Sequence, residues 1–245
     1  MATYGGFAAV YDAFMRPPYD EWAEYVQAIW QKFGAKPSLV LDLACGTGNM
    51  TARFAQMGYD MIGVDCAAEM LSEAAGKNPD ILYICQDMRA LELYGTVDAA
   101  CCLCDGMNYL EDSGDLTQVL HLIQNYLNPG GVFVFDMNTE YYFAEVLNNG
   151  VFAESDDTAA YIWENDYDPD TRVNEYAVTF FVQEENGLFR RFEEVHHETA
   201  FSESEVRQAA KDAGLEFCAV YNGGQFAQPN ETSERIYYVL RKGEL

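Results

Sequence analysis

Between Leu39 and Asn138 five short apolar runs alternate with segments that read as helices, and this alternation restricts the fold more than any other feature. The runs are LVLDL (39–43), YDMIGVD (59–65), ILYICQD (81–87), VDAACCLCD (97–105) and VFVFDMN (132–138). Helix-compatible stretches fall at about 49–57, at AAEMLSEAAGKN (67–78) and from about Asp115 to Leu127, with NPGG (128–131) reading as a turn. Strands alternating with helices predict right-handed crossovers and a parallel sheet covered on both faces. The runs are continuously apolar, as burial from two sides requires.

The texture changes after residue 140. AAYIWENDYD (159–168), RVNEYAVTFFVQEE (173–186) and GLFRRFEEVHHETAF (187–201) are rich in aromatic, Val and Thr residues and are parted by the turn signals DPDT and ENG. They predict an antiparallel meander inserted after the fifth strand, over 140–201 of a single 1–245 domain. A helix at about 203–213 closed by Gly214 follows, then a terminal hairpin of EFCAVYN (216–222) and RIYYVLRK (235–242). The run ESDD (154–157) reads as a solvated loop. The fold class is therefore α/β: a doubly wound, mostly parallel seven-stranded sheet with a C-terminal antiparallel hairpin and an inserted antiparallel meander.

Composition narrows the partners. Fourteen Lys and Arg against forty Asp and Glu leave a formal charge of −26, which repels phosphate backbones and ranks nucleic acid low. No apolar run approaches a membrane span, and the N-terminus lacks a positive leader. Seven cysteines, an odd number set in or beside strands, fit reduced, buried thiols and a cytoplasmic location. Cys101 and Cys102 of CCLC point to opposite faces of a strand, and histidines lie far off in sequence, so no metal site is read there.

Chemistry concentrates in LVLDLACGTGNM (39–50). In a doubly wound sheet ligands bind at the carboxyl ends of the strands. Gly46 and Gly48 would let a ligand approach the backbone, and the next helix offers free N–H groups. The dinucleotide fingerprint wants a third small residue where Thr51 stands, so pyrophosphate is disfavoured. Asp65 closes the second strand 17 residues beyond Gly48, where an acid can accept from both ribose hydroxyls. Capping of the following helix is the competing reading. Asp87, with the Met88 N–H, could read an adenine edge or simply turn the chain.

VLDLACGTGNMT, GVD (63–65), CQDM (85–88) and LNPGGVFVFDMN (127–138) together resemble a class I S-adenosylmethionine-dependent methyltransferase of the small-molecule branch, over nearly the whole chain. The resemblance implies a Rossmann-like fold with S-adenosylmethionine as cofactor. It implies that Ala44, Cys45, Gly46, Thr47 and Gly48 hold the methionine part, Asp65 the ribose, and Gln86, Asp87 and Met88 the adenine. Cys66, Met70, Leu103 and Cys104 complete the expected lining. Asp42 would be a buried acceptor that orders the loop, since an unpaired buried charge is costly. Tyr11 would sit in an N-terminal helix folded over the site. Its competing reading is a packing stripe with Phe7 and Phe14.

Methyl transfer from a sulfonium is an in-line displacement, to which alignment alone can supply roughly 7–11 kcal/mol. Aromatic faces favour the sulfonium, and Tyr4, Tyr11, Tyr19 and Tyr109 are available. Asp105, Asn108 and Tyr109, after the fourth strand, are candidates to line the acceptor mouth or to turn the chain. Of the adjacent pair His196 and His197 at most one should face the pocket. His196 matches the histidine of a related His-x-x-Arg pattern, with Thr199 in place of the arginine; a structural histidine is the leading reading, and as a catalytic residue it is the candidate beside Tyr11. Trp163 could roof the pocket or belong to the core. The reading is methyl transfer to a small-molecule acceptor. Its rivals are a noncatalytic cofactor-binding regulator, an NAD-dependent dehydrogenase, and a methyltransferase acting on protein or RNA.

Overall fold

The apolar runs form the parallel part of one sheet. In the computed structural model, which describes Asp12, Phe14 and residues 17–184 and 186–244, the chain enters through helix α1 (Tyr19–Lys32). It continues through β1 (Leu39–Leu43), α2 (Asn49–Gln56), β2 (Asp60–Asp65), α3 (Ala68–Lys77), β3 (Leu82–Cys85), β4 (Val97–Cys102), α4 (Ser113–Tyr126) and β5 (Leu127–Asn138). A single π turn (Tyr142–Leu147) leads to β6 (Val151–Ser155), β7 (Ala159–Asp168), β8 (Val173–Gln183) and β9 (Phe189–Thr199). Then come α5 (Glu203–Asp212), β10 (Leu215–Asn222) and β11 (Arg235–Lys242).

The large sheet has the order β10-β11-β5-β4-β1-β2-β3, with β1 to β5 parallel and β11 and β10 antiparallel. Strand order reverses between β1 and β4, which opens a crevice at their carboxyl ends. Successive residues of each strand feed opposite cores. Val40, Ala99, Cys101 and Val134 pack with Trp30 and Phe54 of α1 and α2 on one face, where those two rings lie 5.1 Å apart. Leu41, Ala100, Cys102 and Phe133 pack with Leu120, Ile123, Val206 and Ala210 of α4 and α5 on the other. Cys101 and Cys102 thus diverge as the pleat demands. Each fully buried large side chain contributes about 1.5–3 kcal/mol.

Several boundaries differ from expectation for local reasons. Helix α4 starts two residues early because the Asp112 carboxylate accepts from the Gly114 and Asp115 N–H groups. NPGG does not stand apart as a turn. It is the start of β5, paired with β4 through a register shift between Val97 and Ala99. Helix α5 carries a full capping box between Ser202 and Glu205. Helix α1 went unread, although Ala23, Val26, Ile29 and Trp30 form a helical stripe. Strand β6 (VFAES) also went unread; it is exposed at every residue and its short apolar start does not alternate with polar positions. Glu154 and Ser155 of ESDD close this strand. Cys66 and Cys85 are exposed, which corrects the expectation of buried thiols throughout, and all seven cysteines are free. No described helix is long and apolar enough to cross a membrane.

The second sheet, β6-β7-β8-β9, is antiparallel. Its Tyr176, Val178 and Phe180 face joins Phe143 and Leu147 of the π turn, Ala67 just before α3 and Met70 within it in a third core cluster. This lays the sheet over the crevice, with edge strand β9 nearest the turn that follows β4.

Candidate active site

The glycine loop between β1 and α2 is shaped by three left-handed residues, Ala44 (φ 57°), Gly46 (φ 53°) and Gly48 (φ 74°). Gly48 has a second constraint: a Cβ there would lie 2.7 Å from the Tyr83 hydroxyl. Gly46 has nothing within 4 Å of its absent Cβ, so the backbone is open to a ligand on that side.

Asp65 joins this loop to the next. Its Oδ2 accepts from the Gly46 N–H at 2.8 Å and its Oδ1 from the Ala67 N–H at 2.8 Å. Burial raises its pKa, opposed by hydrogen bonds from Ala67, Gly46 and Cys66. Each oxygen keeps a further lone pair for an external donor. Asp65 therefore serves the turn before α3 and remains a candidate ribose acceptor. Asp42, 1% exposed, accepts from the Thr51 hydroxyl at 2.5 Å and the Cys101 thiol at 3.6 Å. Burial pushes it up to about 6, against the Thr51 and Cys101 hydrogen bonds. Thr51, the residue that breaks the dinucleotide fingerprint, is thus the partner of the strand carboxylate.

Asp12 is a member that sequence reasoning missed. It accepts from Thr47 Oγ1 (2.7 Å), Asn49 Nδ2 (2.7 Å) and Lys77 Nζ (2.6 Å) and so straps the loop and α2 to α3. Burial pushes its carboxyl up, but the bonds from Lys77, Thr47 and Asn49 outweigh this and hold it low. The YD pair of the sequence was the available signal. Tyr11, Tyr4 and Phe7 lie outside the described residues.

At the β3 end, Gln86 turns its amide onto the Glu92 backbone, donating to its carbonyl (3.2 Å) and accepting from its N–H (3.0 Å). Asp87 accepts from the Arg89 N–H at 2.8 Å and from its guanidinium at 2.8 and 3.1 Å. The Arg89 hydrogen bonds hold Asp87 below the usual carboxylate range. Arg89, also unforeseen, reaches Glu111 and Asp115 as well.

After β4 the chain passes through left-handed Cys104 (φ 60°) and Asp105 (φ 59°). Arg235 clamps this bend: its guanidinium reaches Asp105 and Asp136 at 2.7 Å each, and Asp136 accepts from the Asp105 N–H at 2.9 Å. Asn108 is fully buried and donates to the Asn138 (3.1 Å) and Thr199 (2.9 Å) carbonyls, tying the bend to β5 and β9. Glu198 of β9 accepts from Tyr176 (3.1 Å) and Asn138 (3.3 Å). Burial, and then neighbouring Asp105, push its carboxyl well above the usual carboxylate range.

These elements enclose a cavity of about 840 Å³, large enough for a nucleoside-sized ligand and an acceptor. Asp42, Ala44 to Thr47, Asp65, Cys66, Met70, Gln86 to Met88, Leu103 and Cys104 line it from the loops that follow β1 to β4 and from their neighbours. Tyr109 lines it from the turn after β4, and Thr199, His196 and His197 line it from β9. Both histidines border the cavity, contrary to expectation, because it opens along the edge of β9 rather than under one face. His196 is 6% exposed, lies 3.5 Å from Glu194 and meets the Tyr109 ring edge-on at 6.0 Å. His197 is exposed and pairs with Glu175 at 3.0 Å. Gly48, Asp105, Asn108 and Trp163 are not on the wall. Trp163 packs against Tyr176 (5.2 Å) and Phe152 (6.0 Å).

Known proteins are similar to this chain in sequence and fold. The methyltransferase-domain family model matches residues 40–131. YqeM of Bacillus subtilis (strain 168) is 33% identical over 98% of both chains. A crystal structure of an S-adenosylmethionine-dependent methyltransferase from Clostridium acetobutylicum ATCC 824 superposes with a TM-score of 0.88 at 31% identity, covering 99% of this chain and 100% of that one. A dTDP-4-amino-2,3,4,6-tetradeoxy-D-glucose N,N-dimethyltransferase of Saccharopolyspora spinosa is 28% identical over 85% of this chain and 84% of its own.

Proposed function

Because the chain belongs to the class I S-adenosylmethionine-dependent methyltransferases, we propose that this cavity seats S-adenosylmethionine at its glycine-loop end and passes the methyl group in line to a small-molecule acceptor beside β9. One observation carries the reading: the open Gly46 backbone, the Asp65 carboxylate and the β9 edge with His196 bound one continuous cavity. Bound there, S-adenosylmethionine supplies a methyl group activated by its sulfonium.

The chain's own groups do the rest. Asp65 accepts from the ribose hydroxyls with the lone pairs its backbone donors leave free. Ala44 to Thr47 flank the methionine part, and Asp87, held by Arg89, borders the adenine with Met88. Asp42 and Asp12 act from behind, fixing α2 and the loop. His196 is the acceptor-side base where the acceptor must shed a proton. The dimethylated amino sugar in the name of the Saccharopolyspora relative supports a small acceptor. The −26 charge argues against nucleic acid.

Calorimetry with S-adenosylhomocysteine and with NAD, followed by radiolabelled methyl transfer to a metabolite panel, tests the reading. S-adenosylhomocysteine binding with turnover is the expected result. Binding without turnover of any acceptor would favour a regulator, and NAD binding alone would overturn the assignment.

A further inference from the structure

Resting on that reading, we propose that the methyl acceptor is an amine carrying no phosphate or carboxylate, and that Glu194 positions His196 to take the proton this amine releases. The argument begins with charge at the cavity wall. Among the described residues that line it, Arg89 is the sole lysine or arginine. Its guanidinium is already shared among Asp87, Glu111 and Asp115, at 2.8, 3.3 and 3.1 Å. The acids Asp42, Asp65, Asp87 and Glu111 stand on the same wall. Behind the wall, Glu194 (3% exposed) lies 3.5 Å from His196 Nε2, and Glu175 holds His197.

An acceptor bearing a phosphate or carboxylate would bring negative charge to acids with no uncommitted guanidinium or ammonium among the described lining residues to meet it. Where the related sequence pattern has an arginine, Thr199 stands on the cavity wall. A nucleotide-linked sugar, the acceptor in the name of the Saccharopolyspora relative, therefore meets no uncommitted counter-charge among the described lining residues.

The reaction's own charge movement separates nitrogen from oxygen. A neutral amine attacks with its lone pair; the nitrogen–carbon bond forms, the carbon–sulfur bond breaks and its electron pair returns to sulfur. Positive charge thus leaves sulfur and appears on nitrogen, beside His196 and Glu194. The new ammonium then gives a proton to His196, and the methylated amine leaves neutral. Total charge and protons balance without an oxidant or further co-reactant. A nearby carboxylate stabilises the charge that develops in this transition state. A hydroxyl or phenol must instead shed its proton to become a strong nucleophile, and the same carboxylates oppose the anion.

Glu194 does not itself line the cavity, so it acts through His196. Residues 194 and 196 share one face of β9, which sets the imidazole against the carboxylate and the Tyr109 edge.

Radiolabelled methyl transfer with matched probes tests the proposal: a primary alkylamine, the alcohol and ω-amino carboxylate of equal chain length, a catechol, and a dTDP-linked amino sugar. We expect kcat/KM for the amine to exceed that of every other probe by about tenfold or more, the ratio that ~1.4 kcal/mol supplies. Preference for the alcohol, catechol, amino carboxylate or nucleotide sugar would overturn the acceptor class, while continued S-adenosylhomocysteine binding would leave the methyltransferase reading intact. Loss of S-adenosylhomocysteine binding by the wild-type protein would overturn both. Glu194→Gln should lower kcat for the amine roughly tenfold or more with unchanged S-adenosylhomocysteine affinity, and Glu194→Asp should recover part of it. An unchanged kcat in a folded Glu194→Gln protein would remove Glu194 from the mechanism.

Discussion

The Asp65 carboxylate accepts the Gly46 N–H at 2.8 Å, so the acid at the end of β2 holds the very loop that opens toward the cavity. Its other oxygen holds the Ala67 N–H. Removing the side chain strips an acceptor from the ligand and slackens the loop at once. A hydrogen bond to a charged group is worth about 1.5–3 kcal/mol. Asp65→Ala should therefore weaken S-adenosylhomocysteine binding at least tenfold by calorimetry. Unchanged affinity would reject the ribose role.

Asp12 offers a separate test of loop order. It is partly exposed, and its ion pair with Lys77 is shared with solvent, so its electrostatic worth is discounted. Its bonds to Thr47 and Asn49 nevertheless span 35 and 37 residues of sequence. Asp12→Ala should lower S-adenosylhomocysteine affinity by about three- to tenfold with little change in melting temperature, because only the strap is lost. A large fall in melting temperature with intact affinity would make Asp12 a fold residue instead.

The parts of this protein that were legible in sequence are those governed by local rules. The apolar runs placed β1 to β5, the glycines placed the loop, and acids at strand ends placed Asp65 and Asp87. What escaped depends on distant partners. Nothing local says that Arg89 will occupy Asp87, or that Arg235 will clamp Asp105, 130 residues away. Asn108 and Trp163 were plausible site residues by position, yet one ties strands together and the other fills the second sheet's core. Helix α1 had a readable stripe, masked by its run of aromatic residues. The two histidines defied the alternation rule because the ligand side of an edge strand includes its edge as well as its faces.

Asp42 predicts a pH dependence of stability. Its pKa rises from 3.8 to about 6 in the fold, chiefly through burial. The folded state therefore holds the proton more tightly than the unfolded chain. The cost of this buried carboxyl is absent below about 3.8, grows as pH rises, and is complete above about 6. A shift of this size corresponds to about 3 kcal/mol. The difference in unfolding free energy between wild type and Asp42→Asn, measured by urea titration, should fall across that window and level off above it. A flat difference from pH 4 to 7 would show that Asp42 keeps an ordinary pKa.

His196 is the place where binding and chemistry should separate. The residue lines the cavity with Tyr109 and Thr199, on a different element from the glycine loop. Its ring packs edge-on to Tyr109, so His196→Gln is the milder replacement and His196→Ala the stricter one. A base that accepts a proton contributes about 10²–10⁴-fold. Both variants should hold S-adenosylhomocysteine as the wild type does while kcat falls by a factor in that range. A packing role predicts the opposite pattern, with Gln restoring full turnover and Ala lowering the melting temperature and the rate together. Turnover equal to wild type in both variants would remove His196 from the chemistry and leave proton removal to another group on the β9 edge.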